Sequence, residues 1–323
     1  MKQFIRDLLH SVRSLRRSPG FTAAAVLTLA IGIGCNAAVF SFVNALLIQP
    51  LPFAEPDRLV RIESRRGSEA GKLMVREWEE LERESDVFAA VAGYYPSQYN
   101  LTTGGPPSAI PANMTTASLF SVLGARFVHG GAWQPGTHRE RNPVVVLDHG
   151  VWQNRFGTDP GIVGKTILMD ASPYQVVGVL APGFAFPTRV GVYRAAYLGG
   201  SQSFYNRSVF VVARLRPGIT AQQAQSRLDN FAQRFETTYP DTNRGIRFRV
   251  YPLSEAYVGE VRPYLLLTMA LVLTVLLIAC ANLGGLLLSR SLARRREMGI
   301  RAALGAGAYD LIRIAFADAF VLS

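Results

Sequence analysis

Cysteine is nearly absent: the 323 residues hold two, Cys35 and Cys280, and both fall inside long apolar runs. The stretch between those runs has none, so no disulfide supports it and it must be stable through its own core. Histidine is almost as scarce. His10, His129, His138 and His149 make no close metal-ligand pair, and no cysteine stands near them, so no zinc-type ligand set is legible. Charge is thin too, at 18% of residues, where a soluble domain carries about a quarter. The shortage is concentrated in two places. No Asp, Glu, Lys or Arg occurs from Ser18 to Ala54, nor from Pro263 to Ser289. Each run exceeds the roughly 20 residues a helix needs to cross the hydrocarbon core. The first is also too long for the apolar part of a cleaved signal peptide, about 7–15 residues.

The charge that is present has a pattern. The chain carries a formal +11, with five Lys/Arg against one Asp in residues 1–20 and six Arg against three acids in residues 290–323. A nucleic-acid binder needs a basic stripe on a folded face. Here the positive charge flanks the apolar runs instead, which excludes nucleic acid as the expected partner and marks both flanks as cytoplasmic. The expected protein spans the lipid bilayer with α-helices and carries an inserted α+β extracytoplasmic domain. Its parts are a cytoplasmic amphipathic helix (1–20), a first span (21–48), the outer domain (49–262), a second span (263–289), a cytoplasmic segment (290–310) and the start of a third span (311–323). The last part implies that the sequence is the front of a longer polypeptide.

Local signals support these divisions. Phe4, Leu8, Val12 and Leu15 fall at helical spacing, as a helix lying in the headgroup layer requires, and Ser18-Pro19-Gly20 breaks it. Ala30, Gly34 and Ala38 in the first span, and Ala281, Gly285 and Ser289 in the second, are small residues four apart; that spacing lets helices approach closely, and small residues are also simply common in spans. In the outer domain, "DRLVRIES", "NPVVVLDHG", "YQVVGVLAPGF", "SVFVVARLRPG" and "RGIRFRVYPL" read as strands. Thr220 to Tyr239 reads as a helix, with a Thr220/Gln223 capping box and an apolar face of Ala224, Leu228, Phe231 and Phe235. Three Asn-x-Ser/Thr sequons, at Asn100, Asn113 and Asn206, are read as chance in a cysteine-free outer domain.

No active site is legible. "GIVGKT" (161–166) suggests a phosphate loop, but the motif needs glycine where Asp159 stands, and a hairpin turn accounts for it better. Asp148-His149 would need a distant nucleophile to make a catalytic dyad. The expectation is therefore a non-enzyme without cofactor or metal.

The ordered motifs carry a resemblance that runs the length of the chain. "LRRSPGFTAAAVLTLAIGIGCNAAVFSFVNALLIQPLPFAEPDRLVRI", "VVVLDHGVWQNRFGTDPGIVGKTILMD", "YQVVGVLAPGFAFP", "ARLRPGITAQQAQSRL", "YPLSEAYVGEVRPYLLLTMALVLTVLLIACANLGGLLLSR" and "RRREMGIRAALGA" follow one another. Together they resemble the FtsX-like permeases of ABC transporters with a MacB-like periplasmic core domain. The nearer likeness is to the large permeases made of two tandem copies, some of them orphans without a neighbouring ATPase gene. "RVGVYRAAYLGG" departs by lacking a Trp-x-Pro after "FAFP", and "NLGGLLLSR" is richer in glycine than the family pattern.

The resemblance implies a permease subunit in the bacterial inner membrane, moved by a separate ATP-binding ABC ATPase. It implies a second permease copy in the same chain or as a homodimer, and an export or efflux role by mechanotransmission. The ATPase would dock on Arg294, Arg295, Arg296, Glu297, Met298, Gly299, Arg301, Leu304, Gly305 and Ala306. Residue chemistry agrees: Glu297 and Arg301 are i,i+4 partners on a short helix, and Met298, Ala302 and Leu304 supply apolar contact. A lipid anchor explains Arg294, Arg295 and Arg296 equally well, but anchoring needs no Glu297. Transport and signalling through a ligand-sensing outer domain share all these features, and a membrane-anchored enzyme lacks a visible site.

Overall fold

The computed structural model describes residues 19–44, 51–84, 86–198, 206–259 and 261–293. The chain forms two compact units, Met1–Gln49 with Glu260–Ser323, and Pro50–Gly259. Most of the expected amphipathic helix, the coupling residues Arg294 to Ala306 and the expected third span lie outside the described residues.

In the first unit, α1 (Pro19–Val43) and α8 (Arg262–Ala293) are both long and apolar enough to cross a membrane. They pack on each other, but not along the stripes of small residues. Ala30, Ala38 and Ala281 are exposed, and a Cβ added at Gly34 or Gly285 would meet nothing within 4 Å. The Ser289 side chain lies outside the described set. The close approach is at Gly32, where an added Cβ would stand 3.3 Å from Leu276 Cδ1 and 3.5 Å from Ala279 Cβ. Asn36 Nδ2 donates to Gly32 O in its own helix at 2.8 Å and to Val272 O across the pair at 3.2 Å. At about 100° per residue, Gly32 and Gly34 lie on nearly opposite sides of α1. An amide seeking a partner in apolar surroundings turns the Gly32 side inward.

The second unit is a mixed α/β fold on one eleven-stranded sheet. Its strands are β1 (Leu59–Arg66), β2 (Glu69–Gly71), β3 (Phe88–Leu101), β4 (Ser108–Thr115), β5 (Phe127–Gly130) and β6 (Val144–Leu147). They continue with β7 (Thr166–Met169), β8 (Ser172–Leu180), β9 (Val192–Ala195), β10 (Phe210–Leu215) and β11 (Ile246–Pro252). The order is β11-β1-β10-β3-β4-β9-β6-β8-β5, with β2 on β1 and β7 joining β3 and β8. Helices α2 (Val75–Arg83), α3 (Ser118–Leu123), α4 (His149–Phe156), α5 (Ala221–Thr238), α6 (Pro240–Asn243) and α7 (Leu253–Val258) lie among them. All five segments that read as strands contain strands. The β3–β4 hairpin does not show in the sequence, because in "FAAVAGYYPSQYNL" small residues and Pro96 break any apolar alternation. Proline is tolerated there because β10 pairs with β3 only up to Tyr94, so the missing N–H faces no ladder.

Alternation along the strands sorts the core onto two faces. Val60, Ile62, Val211 and Ala213 point to α2 and α5, where Trp78, Leu228 and Phe231 pack. Leu59, Val212, Val144 and Val146 point the other way, among Phe120, Phe186, Tyr193 and Leu253. Val145, Leu147 and Val192 return to the first face and meet Trp152 of α4. In α5 the capping box forms, Gln223 N donating to Thr220 Oγ1 at 3.2 Å and Thr220 N to Gln223 Oε1 at 2.9 Å. Phe231 stacks on Phe235 and meets Phe248 edge-on. The same helix closes the outer edge of β11, since Gln225 donates to Phe248 O and accepts from Val250 N. That occupies ladder groups which would otherwise invite another strand.

Among the described residues one acid is wholly buried. Glu77 accepts from Met74 N at 2.9 Å, from Arg207 at 2.7 Å and from Asn243 Nδ2 at 2.6 Å. It thereby caps α2 and ties that helix to the start of β10 and to α6.

Candidate functional site

The outer domain begins and ends side by side. Val60, near the start of β1, pairs with Pro252 at the end of β11. Any load reaching this domain along the chain arrives through the incoming segment Leu51–Arg58 and the outgoing helix α7, so their attachments matter most.

The incoming segment is held by two arginines. Arg214 of β10, its side chain 10% exposed, donates from Nε and Nη2 to Val122 O at 2.9 and 2.7 Å, and from Nη2 to Ala54 O at 2.6 Å. Its Nη1 meets Glu55 Oε2 at 3.0 Å. Burial lowers its pKa, partly offset by Glu55. Arg58 grips Leu215 O from Nε and Nη2 and shares the same Glu55 oxygen at 2.6 Å. Glu55 has a left-handed backbone, with φ 45°. Gly124 ends α3 with φ 65°, and a Cβ there would stand 2.5 Å from Ala54 Cβ, so only glycine allows this approach.

The "FAFP" loop joins the two ends. Phe186 is fully buried and meets Phe53 of the incoming segment at 6.0 Å and Tyr257 of the outgoing helix at 6.4 Å, both edge-on. Phe184 adds a second ring against Phe53. Tyr193 fixes the loop by accepting from Phe186 N and donating to Phe186 O, each at 3.1 Å. Burial pushes the Tyr193 phenol up, so it stays a neutral donor. On the outgoing side Leu253 is buried and Arg249 pairs with Glu255 at 3.0 Å. The arrangement is a clasp: both chain ends of the domain are fastened to one aromatic core.

The sequence pointed only partly here. "FAFP" is legible as a motif, whereas Arg214 and Tyr193 belong to no local pattern that marks a site. The available signal was a lone arginine inside the apolar strand "FVVARL".

Other candidates resolve structurally. In "GIVGKT", Lys165 Nζ lies 2.5 Å from Asp159 Oδ2, and Asp159 Oδ1 accepts from Gly161 N. The segment is a short 3-10 turn leading into β7. The hairpin comes later, at Asp170 and Ala171, both at positive φ. Asp148 spends its carboxylate capping α4 through Gly150 N, while His149 and His129 set their rings against Trp152.

His138 and Arg139 converge on Glu79, with Arg139 bonding both carboxylate oxygens. Burial alone would raise the Glu79 pKa, but the bonds from Arg139 and His138 outweigh it and hold the carboxyl below its usual range. A depressed folded value means stability that is present above the unfolded pKa and lost as pH falls through the folded one. Thermal melts should therefore lose stability on acidification below about pH 4.3, and Glu79→Gln should flatten that slope. An unchanged slope would show that the cluster contributes nothing.

Comparison with known proteins follows the same lines. The profile of the MacB-like periplasmic core domain matches residues 22–231. The macrolide export ATP-binding/permease protein MacB of Salmonella paratyphi A is 24% identical over 222 residues, covering 66% of this chain and 33% of that protein. The pyoverdine export ATP-binding/permease protein PvdT of Pseudomonas savastanoi pv. phaseolicola is 27% identical over 208 residues, 61% of this chain and 30% of that one. The chain thus spans about a third of the length of these curated relatives. The crystal structure of the periplasmic region of MacB from Actinobacillus actinomycetemcomitans superposes with a TM-score of 0.49 at 15% identity, over 68% of this chain and 98% of that one. With its core-domain match covering well over half its length, the chain belongs to the family of permeases that carry a MacB-like periplasmic core domain.

Proposed function

We propose that the chain is the membrane-spanning part of an ABC-type export system and converts ATP hydrolysis by a separate ATPase into movement of its outer domain. In this reading α1 and α8 cross the bacterial inner membrane, further spans follow, and residues 49–262 stand outside. A second copy, in the same polypeptide or as a homodimer, completes the machine, and the chain itself catalyses no reaction. The clasp is the observation that carries the proposal: a buried arginine locks the incoming chain to β10 and α3, so a pull along that chain would reach the sheet directly. The export roles named for the relatives support the direction of transport.

The coupling step would run through Arg294 to Ala306, with Glu297 the lone acid among arginines. Glu297→Arg places like charges at i,i+4 with Arg301, costing only a few tenths of a kcal/mol in the helix itself. Loss of a buried charged contact at a docking surface costs about 2–5 kcal/mol. A lipid anchor predicts the opposite sign, because an added arginine holds the anionic leaflet better. Co-purification of the permease with its ATPase should therefore weaken in the variant while membrane insertion stays normal. Unchanged association would reduce the segment to an anchor.

A further inference from the structure

Two cations in the outer domain share one aromatic ring. The Arg61 guanidinium carbon lies 5.0 Å from the Phe210 centroid, and Lys72 Nζ lies 4.7 Å from it. Among the described residues neither makes a salt bridge, and Arg61 Nε is buried with no hydrogen-bond partner. The acids nearby are engaged elsewhere: Glu63 accepts from Tyr251 Oη and faces Arg65, and Glu255 pairs with Arg249. Two like charges that each lie within about 5 Å of one ring centre repel one another, and an anion bound between them would relieve that repulsion.

The rest of the cluster suits a phosphate. Arg61 stands opposite Tyr251 in the β1–β11 ladder, and Tyr94 stacks on Phe210. Arg61 also acts electrostatically on the Tyr94, Tyr251 and Tyr257 phenols. All three phenols are held neutral by burial, which outweighs the pull of Arg61; Tyr251 already gives its proton to Glu63, so Tyr94 and Tyr257 are the hydroxyl donors left for a ligand. A planar fork, a point cation and neutral hydroxyls are the donor set of a phosphate oxyanion.

We propose that Arg61, Lys72 and the adjoining tyrosine hydroxyls bind a phosphate group, supplied by the headgroup of an anionic lipid. The lipid source is argued from chain order alone: Arg61 lies in the first outer strand, and Tyr257, about a third exposed in α7, comes just before α8 begins at Arg262. Basic and aromatic side chains at that position in the chain are the usual headgroup contacts. The lipid source rests on the spans proposed above; the phosphate chemistry does not.

The test uses the full chain in detergent, with short-chain phosphatidylglycerol, short-chain phosphatidylcholine and inorganic phosphate as probes. Adducts are counted by native mass spectrometry and binding is followed by thermal shift. The variants are Lys72→Gln, whose exposed side chain does not threaten folding, and Arg61→Gln; Arg227→Gln, exposed on α5, removes the same charge elsewhere. Phosphatidylglycerol should bind in preference to phosphatidylcholine, weaken about tenfold in the Lys72 and Arg61 variants, and be untouched by the Arg227 variant. Lys72-dependent binding of inorganic phosphate without lipid binding would keep the site and assign it to free phosphate. Wild-type binding in the Lys72 variant, equal loss in the Arg227 variant, or no binding of any probe would overturn the proposal.

Discussion

Replacing Glu77 by alanine should lower the stability of the outer domain by about 3–5 kcal/mol, the range for removing one partner of a buried ion pair. The side chain has no exposure, and its two oxygens serve three donors from three separate pieces of chain. Truncation leaves the Arg207 charge, the Asn243 amide and the Met74 N–H facing a cavity. Set against a typical total of about 5–15 kcal/mol, that brings the domain close to unfolding. Glu77→Gln keeps an acceptor and should cost less. Urea midpoints at constant slope measure both. A loss below about 1 kcal/mol for the alanine variant would mean that water replaces the carboxylate freely, and that the site is not closed.

Arg214→Ala should have the largest effect on function. It removes the Arg214 bonds to Ala54 O, Glu55 and Val122 O, leaving two carbonyl groups without this donor and, among the described residues, only the Arg58 grip on Leu215 O between β10 and the incoming segment. Each buried group so orphaned costs about 1–3 kcal/mol. The pairing of β1 with β10 and β11 remains, so the domain should fold while the stretch of incoming chain ahead of Arg58 comes loose. Export should then fall by about tenfold or more while association with the ATPase is retained, because the motor still docks but its stroke is absorbed in slack chain. Arg58→Ala should do less, since among the described residues its side chain bonds only Leu215 O and Glu55 and is a quarter exposed. Full export by the Arg214 variant would remove the clasp from the force path.

These two residues also show what sequence conveys and what it does not. The charge-free runs, the capping box at Thr220 and the apolar alternation of "SVFVVARLRPG" are local patterns, and helices and strands formed where they predicted. The ordered motifs carried the family. Glu77, Arg214 and the Gly32–Asn36 seam are different, because each depends on partners far along the chain. Glu77 sits in "VREWEELER", where four acids look alike and only tertiary contacts select the buried one. Small residues four apart in α1 and α8 suggested a seam, yet the side of α1 that turned inward was chosen by one amide reaching Val272 O. Asn36, the polar amide in an otherwise apolar stretch, was the cue.

Hydrogen–deuterium exchange tests the central claim most directly. The full-length permease with its ATPase, in lipid nanodiscs, would be compared with and without a non-hydrolysable ATP analogue. Backbone amides of 51–62 and 246–259, the two chain ends held by Arg214, Arg58 and the Phe186 ring, are followed against those of α5. The account predicts that nucleotide changes protection at both ends of the clasp together while α5, inside the rigid core, stays constant. Identical exchange at the clasp in both states, with the ATPase demonstrably bound, would contradict mechanical coupling to the outer domain.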